Sequence, residues 1–163
     1  MASSQTNQTK TQTIYVMIGL PGAGKDTWIR NNLPNIPTVC RDDLRVQLGM
    51  CGANEKYAGT REEENKVSYE FSKRLVSLVK SGSDVVINNT NLRRGYRNNY
   101  KKLLENFRNL KWVYVVVEAP SIEDNISRRN GQVPPDVIKR MLEKYTPPTP
   151  DEYDQIIHYK SNS

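Results

Sequence analysis

A run of glycines followed by a lysine is the first part of the sequence whose residue types could do chemistry. Its frame, Gly-x-x-x-x-Gly-Lys, extends from Gly19 to Lys25 and follows an apolar stretch. The glycines allow successive backbone N–H groups to face one concavity, and a helix that begins at the lysine adds positive potential there. The lysine supplies a point charge for the β- and γ-phosphates of a nucleotide. The candidate phosphate-binding residues are Gly19, Leu20, Pro21, Gly22, Ala23, Gly24, Lys25, Asp26 and Thr27.

One position departs from this frame, because Asp26 follows the lysine where Ser or Thr normally supplies a hydroxyl ligand for Mg²⁺. A carboxylate beside a triphosphate repels it unless a metal ion intervenes. Two arrangements are open: Asp26 binds Mg²⁺ as an anionic ligand, or it points away and Thr27 offers the hydroxyl. We favour the second arrangement, which resembles nucleoside monophosphate kinases, where glycine and then threonine follow the lysine.

A second charged motif, Arg-Asp-Asp-Leu-Arg, follows the next predicted strand at residues 41–45. Residues just past the carboxyl end of a parallel strand face the ligand crevice. An Asp there can accept a proton from an attacking hydroxyl, and Arg45, one helical turn beyond Asp42, can hold an anionic group of the acceptor. The alternative is that Asp42 or Asp43 is the N-cap of a short helix and Arg45 is a solvated charge.

Short β-branched runs alternate with helical stretches, and these elements must position the motifs. The glycine loop opens a helix that reaches about Leu33, and helical spacing predicts two more helices, Arg61–Ser81 and Arg93–Asn109. The predicted strands are nearly continuous apolar runs, which is typical of a parallel sheet buried on both faces. The alternation therefore predicts an α/β protein, a three-layer α/β/α sandwich with a mostly parallel sheet. The predicted strands are Thr13–Ile18, Ile36–Cys40, Asp84–Asn89, Trp112–Glu118 and Gln155–Tyr159.

The length of 163 residues suits one domain, which we place at residues 13–163 behind a polar tail, 1–12, that we expect to be disordered. No apolar run approaches the ~20 residues that cross a bilayer, and the tail lacks the apolar stretch of a signal peptide. We therefore expect a cytoplasmic protein without a membrane partner. One histidine and two cysteines without a CxxC pair exclude a multi-histidine or zinc site.

Taken together, three motifs resemble the 5′-polynucleotide kinase family, as in the kinase domain of the bacteriophage end-healing enzyme. The resemblance extends from about Ile14 to Tyr159 and implies a P-loop NTPase fold, ATP as donor with Mg²⁺, and a nucleic-acid 5′-hydroxyl as acceptor. It also implies that Lys25 clamps the donor phosphates, Asp42 is the general base and Arg45 binds an acceptor phosphate. The three motifs are Gly19–Trp28, Arg41–Arg45 and Asn88–Leu92.

Two further features are assigned only through this resemblance. By this resemblance Asn89 and Asn91 are assigned as substrate ligands. The family carries Asp-Thr-Asn where this chain has Asn-Thr-Asn, so the neutral amide of Asn89 weakens the proposal that this position holds magnesium or substrate through charge. The lid arginines of the family correspond to Arg128, which is expected to bind ATP, and to Arg129, which is expected to be catalytic. The alternative is that both arginines lie at the C-terminus of a helix that Gly131 caps, where the helix dipole favours cations. Because residues 1–163 contain no Asp-x-Asp motif, we expect no counterpart of the family's phosphatase half among them.

The net charge of +6 is concentrated in residues 93–111, which carry seven Lys or Arg and one Glu. With Tyr96 and Tyr100 interleaved, this segment is predicted to follow a nucleic-acid backbone, with Arg93 and Arg97 as contacts. The alternative is a solvated helix face whose tyrosines pack inward. The acceptor also stays open: a 5′ end of DNA or RNA, a hydroxymethylated base in phage DNA, or a small molecule or nucleoside. A nucleotide-binding module without enzymatic activity is the remaining possibility.

Overall fold

The computed structural model describes residues 10–51, 59–129 and 132–162. Within these ranges five strands form one sheet with the order β2-β3-β1-β4-β5, and all neighbouring strands are parallel. Because the strands are parallel, all their carboxyl ends lie at one edge of the sheet. The strands are β1 (Gln12–Ile18), β2 (Thr38–Val39), β3 (Val85–Asn88), β4 (Leu110–Glu118) and β5 (Gln155–Lys160).

Helices cover both faces of this sheet. On one face Trp28 of the first helix packs with Met17 and Val115, and on the other Phe71 and Leu75 of the third helix pack in a core that contains Ile14 and Val16 of β1. The predicted three-layer α/β/α P-loop fold is confirmed. The helices are α1 (Lys25–Asn32), α2 (Arg41–Gln47), α3 (Arg61–Lys80), α4 (Arg94–Leu103), α5 (Ile122–Arg129) and α6 (Pro135–Glu143), with a short 3₁₀ turn at Pro150–Glu152.

The longest helix, α3, shows why the sequence forms these elements. Thr60 caps it in a reciprocal capping box with Glu63, which satisfies two backbone N–H groups at the helix start. Its buried residues recur every four positions, from Val67 to Val79, so one apolar stripe faces the sheet. β3 is buried along its whole length, as expected for a central parallel strand.

Some predicted boundaries differ from the structure. Gln12, placed in the polar tail, begins β1 and is buried, because its amide donates to Val79 O and Ser83 O, both at 2.9 Å. Residues 1–9 of the predicted tail lie outside the described residues. α4 ends at Leu103 rather than at Asn109, whose positive φ of 59° redirects the chain into β4. Within the described ranges, no helix has both the length and the apolar character that crossing a bilayer requires.

Candidate functional site

The loop between β1 and α1 contains glycines that pack closely against backbone atoms, so a larger residue there would force neighbouring atoms to shift. A Cβ at Gly19 would lie 2.5 Å from Val117 O, and a Cβ at Gly22 would lie 2.6 Å from Asn125 O. Gly22 and Gly24 also have φ values of +79° and +107°, a region that favours glycine. Gly24 is the N-cap of α1 without a side-chain cap among the described residues, so the helix presents its N-terminal N–H groups to the loop.

Lys25 lies over this loop. Its Nζ donates to Gly19 O at 2.7 Å and to Leu20 O at 3.1 Å. Desolvation of the ammonium lowers the pKa of Lys25 to about 8, against the opposing effect of Asp26 and with a further lowering by Arg129. A desolvated cation that is held by two carbonyls, with a second cation near it, is an arrangement that an anionic phosphate would stabilise.

The two arginines at the end of α5 differ in their partners. Arg128 Nη1 donates to Gly22 O, Ala23 O and Ser161 Oγ at 3.1, 3.3 and 2.9 Å, so it braces the loop from outside. Arg129 is partly buried, and its Nε is buried without a hydrogen-bond partner among the described residues. Arg129 is therefore the arginine with an uncommitted donor near the loop. The alternative helix cap, Gly131, lies outside the described residues.

Asp26 faces the end of β3, so the expectation that it points away is wrong. Asn88 Nδ2 donates to Asp26 Oδ1 at 2.7 Å, and Asn88 is buried. Thr27 instead points along the outside of α1, where Arg30 Nη2 donates to its Oγ1 at 3.4 Å. The helix geometry explains this, because the two residues are consecutive and project about 100° apart around α1. The arrangement favours Asp26 over Thr27 as the side chain nearest the crevice.

The residues after β2 lie in the first turns of α2, whose N-cap is Cys40, so the alternative that Asp42 or Asp43 caps the helix is wrong. The Asp42 side chain is 82% exposed and forms an ion pair with Arg45. Asp43 is exposed as well, but its pKa is raised by partial desolvation and by the nearby carboxylates of Asp26 and Asp42. Two carboxylates therefore stand at this strand end in different environments.

Arg45 is held in place by a residue that the sequence analysis did not single out. Glu64 of α3 accepts from Arg45 Nε at 3.0 Å and from Arg45 Nη2 at 2.9 Å, which is a two-point contact. Arg41 Nη2 also donates to Glu64, at 3.0 Å. The guanidinium is therefore fixed between two carboxylates, because its Nη1 also donates to Asp42.

The loop after β3 is tied to the rest of the site by hydrogen bonds centred on Tyr100. Asn89 accepts from Arg41 N–H at 3.0 Å and donates to the Tyr100 hydroxyl at 3.0 Å. That hydroxyl donates to Asn91 Oδ1 at 2.6 Å, and Asn91 Nδ2 donates to Met17 O at 2.7 Å. Asn91 is buried with a φ of 50°, so it is a structural residue and the expectation that it binds substrate is wrong. Asn89 is occupied in the same network.

This network explains why an amide, and not a carboxylate, suits position 89. An amide both accepts from Arg41 N–H and donates to the Tyr100 hydroxyl, whereas an ionised carboxylate can only accept. Burial raises the pKa of Tyr100 to about 12, so its hydroxyl stays protonated and available as a donor. The sequence left Tyr100 open between a nucleic-acid contact and inward packing, and its polar role could be identified only from the fold.

The basic segment is not one continuous exposed face. Arg97 is fully buried, with Nε 2.8 Å from Glu152 Oε1 and with donors to the carbonyls of Asn91, Leu92 and Thr146, so its assignment as a nucleic-acid contact is wrong. Its position, three and seven residues before the partly buried Tyr100 and the buried Leu104, places it on the apolar side of α4. Arg93, by contrast, is exposed.

The side chains at the strand ends fit a nucleotide with Mg²⁺, which the fold implies. The glycine concavity, Lys25 and the unpartnered Arg129 Nε suit phosphate oxygens. The buried Asn88 Oδ1 has no partner among the described residues and belongs to the residue that contacts Asp26. The described ranges contain no cluster of three acidic, His or Cys residues that could hold a metal alone. Mg²⁺ commonly takes one or two protein ligands together with substrate phosphates, and these residues suit that mode.

Comparisons with known proteins agree with this geometry. The family model described as AAA domain matches residues 14–148. A chain of the Pnkp1/Rnl/Hen1 RNA repair complex superposes with a TM-score of 0.69 at 19% identity, over 82% of this chain and 44% of that one. A sugar kinase from Janibacter sp. HTCC2649 gives 0.61 at 18% identity, over 93% and 86%. A fungal RNA kinase gives 0.54 at 17% identity, over 91% and 38%. At these identities the similarity concerns the fold.

Proposed function

Because the chain belongs to the AAA domain family, AAA_33, we propose that it is an ATP-dependent kinase that phosphorylates a hydroxyl of nucleic acid, at a 5′-hydroxyl end. It has the fold of a P-loop kinase, a fold that serves many acceptors. The acceptor must therefore be argued from the residues at the strand ends. In the RNA repair chain and the fungal RNA kinase the matched part is less than half of the chain, so their activities enter here only as support.

The observation that carries the proposal is the pairing of a donor site with an oriented acceptor site. Lys25 and the glycine loop follow β1, and Asp42 with Arg45 follows β2, on either side of β3. Arg45 is oriented by its two-point contact with Glu64, and a planar guanidinium in a fixed position suits a phosphodiester next to the reacting hydroxyl.

The chemistry follows from the general physics of phosphoryl transfer, in which positioning and charge neutralisation provide most of the rate. Asp42 orients the acceptor hydroxyl and accepts its proton as the new O–P bond forms and the bond to the leaving ADP oxygen breaks. Lys25 and Arg129 neutralise charge that develops on the transferred group. Mg²⁺ bound with ATP, for which Asp26 and Asn88 are the proposed protein ligands, supplies further charge neutralisation. Thr27 is the alternative ligand.

A second candidate function is favoured by a cavity beside the phosphate loop. Its volume is about 280 Å³, and its lining is mainly apolar, with Gly19, Leu20, Leu92, Ile122 and Tyr145 among its residues. A cavity of this size suits a small molecule or nucleoside. The superposition with a sugar kinase also supports a small acceptor.

The test is to identify where labelled phosphate goes. The protein is incubated with γ-labelled ATP, Mg²⁺ and one of three acceptors: a 5′-hydroxyl oligonucleotide, a hydroxymethyl-base duplex with blocked ends, or a panel of nucleosides and sugars. We expect label only in the first, and digestion to mononucleotides should recover it as 5′-phosphate. Lys25→Ala is the control for contaminating kinase. Label confined to the nucleosides or sugars, or to the modified base, would refute the 5′-end assignment.

A further inference from the structure

A basic groove lies between the first turn of α4 and the last turns of α6, beside the loop that follows β3. Its volume is about 390 Å³, and it is lined by Thr90, Leu92, Arg93, Tyr96, Arg140 and Lys144, with two apolar side chains of α6. Of the described residues that line it, three are cations and none is acidic. Asp136, outside the lining, pairs with Arg140 on the same helix at 3.1 Å, and both side chains are mostly exposed.

The two walls of this α4–α6 groove are joined at its base. Thr146 N–H, just past α6, donates to Leu92 O at 2.8 Å, and Arg97 donates to both Thr146 O and Leu92 O. The buried ion pair of Arg97 with Glu152 fixes that guanidinium. The groove is therefore formed before any ligand binds, and a ligand would not have to order its walls.

Tyr96 distinguishes this groove from an ordinary solvated helix face. Its side chain is 52% exposed, and the Arg93 guanidinium lies 5.7 Å from its ring centroid. An exposed aromatic ring among cations is the combination that binds single-stranded nucleic acid, because bases stack on the ring while the cations follow the phosphates. In a duplex the bases are already stacked on each other, so this arrangement favours an unpaired strand.

The groove is continuous with the candidate site. Thr90, in its lining, accepts a hydrogen bond from Gly19 N–H at 3.0 Å, and Gly19 is the first residue of the phosphate loop. Leu92 lines both the groove and the cavity beside that loop. These contacts place the groove beside the phosphate loop, at the edge of the sheet where the terminal nucleotide of the acceptor is proposed to lie.

We propose that the α4–α6 groove binds the single-stranded segment of nucleic acid that follows the phosphorylated end. A base stacks on Tyr96, and backbone phosphates pair with Arg93, Arg140 and Lys144. This assignment rests on the proposed function, because it states where the acceptor lies beyond its reacting hydroxyl. The volume of the groove, near the lower end of the ~300–1,000 Å³ typical of ligand sites, has room for about one nucleotide.

The experiment measures equilibrium binding of a fluorescent single-stranded 5′-hydroxyl oligonucleotide to the full chain, by anisotropy without ATP, at several salt concentrations. Arg140→Ala/Lys144→Ala should weaken binding and reduce the log–log salt slope by about 1.4, because each single-strand phosphate contact contributes about 0.7. Tyr96→Leu should weaken binding about 5-fold or more with no change in slope, since stacking releases no counterions.

The matched control is Lys102→Ala/Lys139→Ala, which removes the same charge from exposed positions of α4 and α6 outside the groove lining. Losses for both groove variants no larger than the control's would overturn the proposal. So would a blunt duplex that binds as tightly as the single strand, or no binding of the oligonucleotide by the unchanged chain.

Transfer of labelled phosphate from ATP to the oligonucleotide is measured separately from binding, so the kinase proposal and the groove proposal can fail independently. An oligonucleotide that is labelled by the enzyme but bound equally well by the groove variants refutes the groove and leaves the kinase function. An oligonucleotide that is bound through the groove but never labelled refutes the kinase function and supports the groove.

Discussion

Two ion pairs run in parallel from α4 to the turn at Pro150–Glu152, and comparing them tests how the floor of the groove is held. Arg97 Nε lies 2.8 Å from Glu152 Oε1, and both side chains are buried. Arg94 Nη2 lies 2.6 Å from Asp151 Oδ2 at the surface. Arg97→Met keeps an apolar stem but removes the guanidinium, so a buried carboxylate loses its cation and each of three backbone carbonyls loses one donor.

The expected loss of stability follows from that burial. Removing one partner of a buried ion pair costs about 3–5 kcal/mol, compared with a total of roughly 5–15 kcal/mol for a typical domain. In a protein of this size each kcal/mol lowers Tm by about 2–4 °C, so Arg97→Met should melt roughly 6–20 °C below the wild type. Arg94→Met should melt close to the wild type, because water screens the exposed pair.

Thermal and urea unfolding followed by circular dichroism measures both variants against the wild type. Burial alone would raise the pKa of Glu152, but hydrogen bonds from Arg97 and Thr149 outweigh it and hold the pKa below its ordinary 4.5. The pair therefore stabilises the protein above pH 4.5, and this contribution is lost as pH falls through the lower folded-state pKa. The gap between wild type and Arg97→Met should shrink on acidification. Equal Tm values for the two arginine variants would refute the argument.

The remaining predictions concern the strand ends. Asp26→Ser should raise the Mg²⁺ concentration needed for half-maximal activity, with Thr27→Ala near wild type, and titrations that show the reverse order would assign the metal to Thr27. Because the pKa of Lys25 is about 8 in the free protein and a bound phosphate raises it, ATP affinity should fall as pH rises above 8. Calorimetry in buffers of different ionisation enthalpy should detect proton uptake on binding at that pH, and a Lys25→Met variant that keeps this uptake would contradict the assignment. Asp42→Asn should lower kcat by about 10²-fold or more with an unchanged Kd for ATP. A larger loss in Asp43→Asn would identify that carboxylate as the base.

The features that could be predicted from the sequence are those encoded by local pattern. The apolar runs specify the strands, and the glycine spacing specifies the loop before α1, because both depend on residues close together in the chain. Helix boundaries were predicted less well: α4 ends at Leu103, although helical spacing continues to Asn109, whose positive φ precedes β4.

The features that could not be predicted depend on pairs far apart in the chain. Arg97 was assigned to the surface because of its residue type, and its burial depends on the distant partners Glu152, 55 positions away, and Thr146 O, 49 positions away. Glu64 is one of three consecutive glutamates in the first turn of α3, where the helix dipole alone would favour acidic residues. Only the packing of α3 on α2 selects Glu64 as the partner of Arg45.

The contacts of the phosphate loop determine when it can fold during synthesis of the chain. The loop is encoded near residue 20, yet Arg128 braces it and the Ser161 hydroxyl donates to Ala23 O at 2.8 Å, across 138 positions. The strand before the loop, β1, lies between β3 and β4 in the sheet, so its backbone hydrogen bonds are incomplete until both of these strands have been synthesised. Contacts of such long sequence separation form late, because loop-closure entropy opposes them until the chain is available. During synthesis, the first motif to leave the ribosome is therefore among the last parts of the molecule to become competent for its ligand.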